Sequence, residues 1–113
     1  KVTGSDSARL VADIIACLEA GCWKVFVDAV ELFDTVPNET LIDAIVIAVP
    51  LERLIFEIPG PWNPGVRQCD GHMLRTWLIQ RFGPLVNLAN VPPEEVIAVE
   101  TARRGIGVSA LRW

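Results

Sequence analysis

The chain has 113 residues, about half of them apolar, with 10 basic and 14 acidic side chains and a net charge of −4, a balance suited to one globular unit and unlike a disordered segment. The acidic balance and a pI near 4.9 exclude the basic footprint of a nucleic-acid binder. Apolar runs are broken by charge or proline well before ~18 residues and no charged leader precedes an apolar stretch, so neither a membrane span nor a signal peptide is read and cytoplasm is the expected compartment.

Ser5 or Asp6 is expected to cap a first helix whose apolar positions Leu10, Ile14, Cys17 and Leu18 recur at helical spacing, and Gly21 suits the left-handed position past its end. The run Lys24 to Asp28 is short and rich in β-branched residues, so it reads as a buried parallel strand with Asp28 and Glu31 at its end. Asn38 caps the next helix, with Leu41, Ile42, Ile45, Val46 and Val49 as a wide apolar stripe closed by Pro50. A second strand runs from Leu54 to Ile58. Glu57 stands inside it, and a carboxylate on a buried strand is costly unless paired, metal-bound or facing a cavity. The segment from Pro59 to Gly65 reads as a stiff loop.

Asp70 is expected to cap a third helix with Met73, Leu74, Trp77, Leu78 and Phe82 on one face, ended by Gly83 and Pro84. The third strand reads as Leu85 to Ala89. Asn90, Val91, Pro92 and Pro93 turn into a last helix, where Glu94 and Glu95 complement the helix dipole and Val96, Ile97 and Val99 face inward. Cys17, Cys22 and Cys69 are odd in number and lack the two-residue spacing of zinc or redox motifs, so buried or idle thiols are the reading rather than a disulfide framework. His72 lies beside Cys69 and Asp70, but one His and one Cys do not fill a tetrahedral metal site.

Strands and helices alternating at spacings of about 30 residues imply right-handed parallel crossovers and an α/β fold. The stretch from Phe82 to Gly105 reads as a strand, loop and helix of an α/β barrel, with polar groups at the carboxyl end of the strand where such folds place their chemistry. A (β/α)8 barrel typically needs ~250 residues. Residues 1–113 are therefore expected to form the second half of a TIM-type barrel and not a complete domain alone.

The segment from Ala20 to Gly105 is similar to the carboxyl-terminal half of phosphosulfolactate synthase-like proteins. The resemblance lies in Ile55, Phe56, Glu57 and Pro59, in Phe82 and Gly83, in Val86 to Asn90, and in Glu95, Val96, Ile97, Glu100, Thr101, Arg103, Arg104 and Gly105. It implies a lyase-type (β/α)8 enzyme that adds sulfite to phosphoenolpyruvate with the help of Mg2+. It further implies metal ligation by Asp28, Glu31 and Glu57, catalytic roles for Lys1, as a proton donor, and for Glu57, and a small anionic substrate held near Asn87, Asn90, Arg104, Gly105 and Gly107. The chain departs from the family where Ile58 replaces an alanine, where Ala29 and Val30 replace a glycine and an arginine, and where Ile106 to Ala110 replace an arginine-bearing loop. Three groups suited to phosphate or sulfite are missing.

Each of these residues also has a plainer role open to it. Asp28 and Glu31 fit solvated loop carboxylates, Arg103 and Arg104 fit charges favoured by a helix carboxyl end, Asn87 and Asn90 fit turn satisfaction, and Trp62 fits loop packing. Three parallel strands with open edges also leave backbone groups and an apolar face uncovered. A longer protein, or a partner chain that supplies the amino-terminal half of a split barrel, is therefore expected, with an oligomer as the result. The competing expectation is a non-catalytic relative that keeps the barrel for assembly or stress protection.

Overall fold

The structure, a computed structural model, describes residues 4–34 and 36–106. Its first helix, α1 (Gly4–Glu19), starts at Gly4 rather than at a Ser5 or Asp6 cap. It ends as the sequence predicts: Gly21 adopts φ +102°, its N–H donates to the Leu18 carbonyl at 3.1 Å, and the Cys22 N–H reaches back to the Cys17 carbonyl at 3.1 Å. These two bonds satisfy carbonyls that the helix end leaves without partners. Ile14 is buried, with Leu10, Val11 and Leu18 packed against the core, whereas Cys17 is exposed. Cys17 lies at the margin of the stripe, turned by about 100° from its neighbour Leu18, which takes the core side.

Strand β1 (Val25–Val27) follows. A short helix, α2 (Ala29–Leu32), and a two-stranded antiparallel hairpin, β2 (Phe33–Asp34) with β3 (Val36–Pro37), then occupy the span between β1 and the next long helix. Helix α3 (Glu39–Ala48) starts as predicted at Asn38, whose side-chain oxygen accepts from the Leu41 N–H. Leu41, Ile42 and Ile45 are completely buried, so the stripe expected for this helix is its core face. A 3-10 turn, Leu51–Arg53, leads into β4 (Leu54–Glu57).

Helix α4 (Gln68–Phe82) begins three residues earlier than expected, with its cap at Arg67 instead of Asp70. Arg67 holds the cap position, and Asp70 reaches back from the third helical residue to accept the Arg67 N–H at 2.8 Å. The carboxylate thus satisfies an orphan donor from inside the first turn, as the Glu of a capping box does. Met73 is exposed, while Leu74, Leu78 and Ile79 enter the core. Strand β5 is only Leu88–Ala89, because Pro84 and Leu85 form a turn and the Arg103 guanidinium takes the carbonyls of Pro84 and Val86. After a 3-10 turn, Pro93–Glu95, helix α5 (Val96–Arg103) buries Val99 and leaves Val96 and Ile97 exposed, so two of the three residues expected to face inward do not.

The strands β1, β4 and β5 form one parallel sheet in that order, with Val27 opposite Phe56 and Phe56 opposite Leu88. The α/β reading with parallel crossovers therefore holds. Period-two alternation along β4 sends Leu54 and Phe56 into a core with Val27, Leu74, Leu78 and Val86, and turns Ile55 and Glu57 to the other face. Phe26, paired with Ile55, stands 63% exposed on that face. Among the described residues no helix is long and apolar enough to cross a membrane.

Candidate functional site

Because the three strands are parallel, their carboxyl ends lie at one edge of the sheet, where Asp28 follows β1, Glu57 ends β4 and Asn90 follows β5. The Asp28 carboxylate accepts from the Val30 N–H at 3.0 Å and caps α2. Glu57 bridges its two neighbours. One of its oxygens accepts from Asn90 Nδ2 at 2.9 Å and the other lies 3.4 Å from the Ala29 N–H. Asn90 has φ +60°, a left-handed conformation that asparagine tolerates better than most side chains. The question posed by a carboxylate on this strand is thus answered by pairing: Glu57 ties the ends of all three strands together.

Two clefts flank this bridge. An open one of about 1270 Å3 lies between the α2 to β3 region and the loop after β4, lined by Ala29, Glu31, Asn38, Asn63, Arg67 and Trp77 among others. A smaller one of about 230 Å3 lies beyond Asn90, next to Trp62, Gln68, Gly71 and Glu95. Glu31, half-buried on the single turn of α2, faces the larger cleft.

The expected metal set of Asp28, Glu31 and Glu57 does not assemble. Among the described residues no three His, Cys, Asp or Glu side chains stand where they could hold a metal ion, and the carboxylates of Asp28 and Glu57 are already engaged by backbone N–H and amide donors. These residues do not by themselves fit Mg2+, which needs several hard oxygen donors around one point.

The residues expected around an anion are separated. Asn87 donates to the Leu54 carbonyl at 2.9 Å, a bond between strands at the start of β4. Arg104 is exposed at the carboxyl end of α5, and Gly105, with φ +68°, follows it. Arg103 holds that end of α5 against Pro84 and Val86, just before β5, so Arg104 and Gly105 lie at the opposite edge of the sheet from Glu57 and Asn90. Lys1 and Gly107 lie outside the described residues.

One polar cluster was not anticipated. Arg75 is 4% exposed on the core-facing side of α4, forms an ion pair with Glu95 and bonds His72 Nδ1 at 2.8 Å. Gln68 Nε2 donates to Glu95 at 3.2 Å. Burial pushes the Glu95 carboxyl upward, but the hydrogen bonds from Gln68 and Arg75, with the charges of Arg75 and His72, outweigh it and hold Glu95 below the usual carboxylate range. The cluster fixes the turn that carries Asn90 onto α4. Its signal in the sequence is the position of Arg75, four residues before Ile79 and next to Leu74 and Leu78 on the apolar stripe.

Comparison with known proteins adds a family to this geometry. Residues 2–108 match the family of (2R)-phospho-3-sulfolactate synthase (ComA). The chain is similar to the phosphosulfolactate synthase of Methanothermobacter thermautotrophicus, 33% identical over 109 residues covering 89% of this chain and 37% of that protein. It is also similar to the phosphosulfolactate synthase of Bacillus subtilis, 34% identical over 101 residues covering 82% of this chain and 36% of that protein. The chain thus spans little more than a third of the length of either relative.

Proposed function

Since this chain belongs to the phosphosulfolactate synthase family, we propose that it supplies the carboxyl-terminal strands of a (β/α)8 enzyme that adds sulfite to phosphoenolpyruvate. The single observation that carries this reading is the Glu57 bridge to Asn90 and Ala29, because it fixes polar groups at the carboxyl ends of parallel strands, the face on which barrels of this class do their chemistry. In the reaction, the sulfite sulfur forms a bond to the methylene carbon of the substrate. The alkene electron pair moves toward the carboxylate as an enolate, and a proton then arrives at the carbon that bears the phosphate. Negative charge builds during the first step, so donors aimed at the developing enolate lower the barrier.

The part played by the described residues is positional. Glu57 and Asn90 hold the strand ends in register, and in this reading the amide of Asn90, exposed at the rim, donates its second N–H to an anionic substrate. The further groups that must neutralise phosphate, sulfite and carboxylate, and the ligands for a magnesium ion, belong in this reading to the remainder of a family-length barrel. That remainder would also cover the sheet face that carries Phe26 and Ile55. The engaged state of Glu57 and the dispersed acids favour a second reading, a non-catalytic barrel relative kept for assembly.

Incubating the purified protein, with any chain that co-purifies, with Mg2+, sulfite and phosphoenolpyruvate tests the choice. Formation of phosphosulfolactate, detected by mass spectrometry, is expected. Absence of product and of metal binding would select the non-catalytic reading. A stable, compact monomer of 12.4 kDa in solution would remove the half-barrel proposal altogether.

A further inference from the structure

The structure assigns to Cys17 and Cys22 a dithiol site, at which the two side chains close to an intramolecular disulfide on reaction with a small-molecule disulfide. Both thiols are free and exposed. They occupy the two positions that the end of α1 draws together: the Cys22 N–H donates to the Cys17 carbonyl at 3.1 Å while Gly21, at φ +102°, reverses the chain between them. In this type of helix end the side chains of those two residues are habitual neighbours, usually as an apolar contact. Covalent geometry added to the 3.1 Å bond keeps the two Cα atoms within about 7 Å, the limit beyond which a disulfide needs backbone movement.

The site is held from the other side as well. Arg53, in the turn before β4, donates through Nη2 to the Cys22 carbonyl at 2.9 Å and through Nε to the Trp23 carbonyl, and Lys24 Nζ donates to the Glu52 carbonyl. Cys22 is therefore anchored to the amino-terminal edge of the sheet, and so is the end of α1. This is the edge opposite Glu57 and Asn90, so the dithiol is separate from the proposed reaction and its test does not depend on that activity. Cys69, on the first turn of α4, has no cysteine at this relation and serves as the internal control.

The chemistry balances in two exchanges. A thiolate of the pair attacks oxidised glutathione, which gives a mixed disulfide and releases one glutathione thiol. The second thiolate of the pair then attacks the protein sulfur of that mixed disulfide, which forms the Cys17 to Cys22 bond and releases the second glutathione. The protein loses two protons and two electrons, and the oxidant gains them as two thiols.

The test equilibrates the purified chain in glutathione redox buffers, with and without denaturing urea, and maps the products by peptide mass spectrometry. The expected result under native conditions is a Cys17 to Cys22 link at least about tenfold more populated than any link to Cys69 and at least about tenfold favoured over the same closure in urea, because a folded chain that holds two thiols together raises their effective concentration. Cys17→Ser and Cys22→Ser should each abolish the loss of two hydrogen masses and leave a glutathione adduct on the remaining thiol. A native closure constant equal to or below that in urea, or persistent single glutathione adducts on both residues without ring closure, would overturn the assignment.

Discussion

Replacing Glu57 by glutamine keeps the shape of the side chain and removes its charge, so it asks how much the bridge across the strand ends is worth. In the native protein one carboxylate oxygen accepts from Asn90 Nδ2 at 2.9 Å and the other lies 3.4 Å from the Ala29 N–H. A hydrogen bond to a charged group is worth about 1.5 to 3 kcal/mol. The Ala29 contact is long, Glu57 is half-buried and Asn90 is exposed, which places the net loss for Glu57→Gln near 1 to 1.5 kcal/mol. Part of that loss comes from turning the new amide NH2 toward a donor on one side. Asn90→Gly removes the other partner while keeping the left-handed backbone free of strain, so the two substitutions and their combination form a clean cycle. Urea unfolding followed by tryptophan fluorescence should give a coupling energy of about 0.5 to 1.5 kcal/mol between the sites. Single effects that add to within about 0.3 kcal/mol would refute the bridge as an energetic link.

Gly71→Ala should destabilise the protein by roughly 1 to 3 kcal/mol, because its new methyl meets the Pro59 carbonyl, which is backbone, and comes within 3.3 Å of Ile58 Cγ2; Gly60→Ala meets only the exposed Trp62 ring and should cost less in thermal unfolding, and the reverse order would contradict the packing described. Phe56→Ala deletes a completely buried ring stacked 6.2 Å from Phe82 and should lower stability by about 3 to 5 kcal/mol in urea titration. The pH dependence has a definite sign. Arg67, first through its side-chain hydrogen bond and then through its backbone N–H, lowers the Asp70 pKa below its ordinary 3.8, so the stabilisation is present above that value and disappears as pH falls through the lower folded value. Glu95, lowered from 4.5, acts in the same direction. Melting temperatures measured from pH 6 downward should therefore fall less steeply in Asp70→Asn than in the native protein, and an unchanged acid slope would show that the pairing carries no linkage.

The sequence made the parallel α/β order legible because β-branched runs and helical stripes have different periods, and Asn38 and Gly21 mark their helix ends by chemistry that few other residues supply. It misplaced elements where tertiary contacts decide. Strand β5 is shortened because Arg103, 19 and 17 residues further along the chain, occupies the carbonyls of Pro84 and Val86 that a longer strand would have offered. The start of α4 moved to Arg67 because Asp70 serves the helix equally well from its first turn as from its cap. Of the candidate site, the position of Glu57 at a strand end was readable from one carboxylate among apolar neighbours. Its partners were not, since Asn90 and Ala29 lie 33 and 28 residues away and come together only through the register of the sheet.

That register also decides what the site can do. A carboxylate free at the end of a barrel strand is a natural metal ligand, but Glu57 spends its oxygens on an amide and a backbone N–H, and Asp28 spends its own on α2. An addition that builds charge on an enolate needs positive or hydrogen-bonding groups at the same rim, and Arg103, the arginine bonded to the segment that enters β5, is committed to backbone carbonyls at the far edge. If the chain catalyses the proposed addition, the charge-neutralising groups must therefore come from segments that complete the barrel, while Glu57 and Asn90 set where those segments meet the strand ends. This division predicts unequal effects on catalysis by the complete assembly. Glu57→Gln should reduce turnover by displacing the rim while leaving Mg2+ affinity within about twofold, since even the loss of a group that only supports a metal ligand typically costs 10- to 100-fold in affinity or activity and Glu57 in this reading neither binds the metal nor supports a ligand. A collapse of Mg2+ affinity in that variant would mean that Glu57 abandons Asn90 for the metal when the barrel is whole.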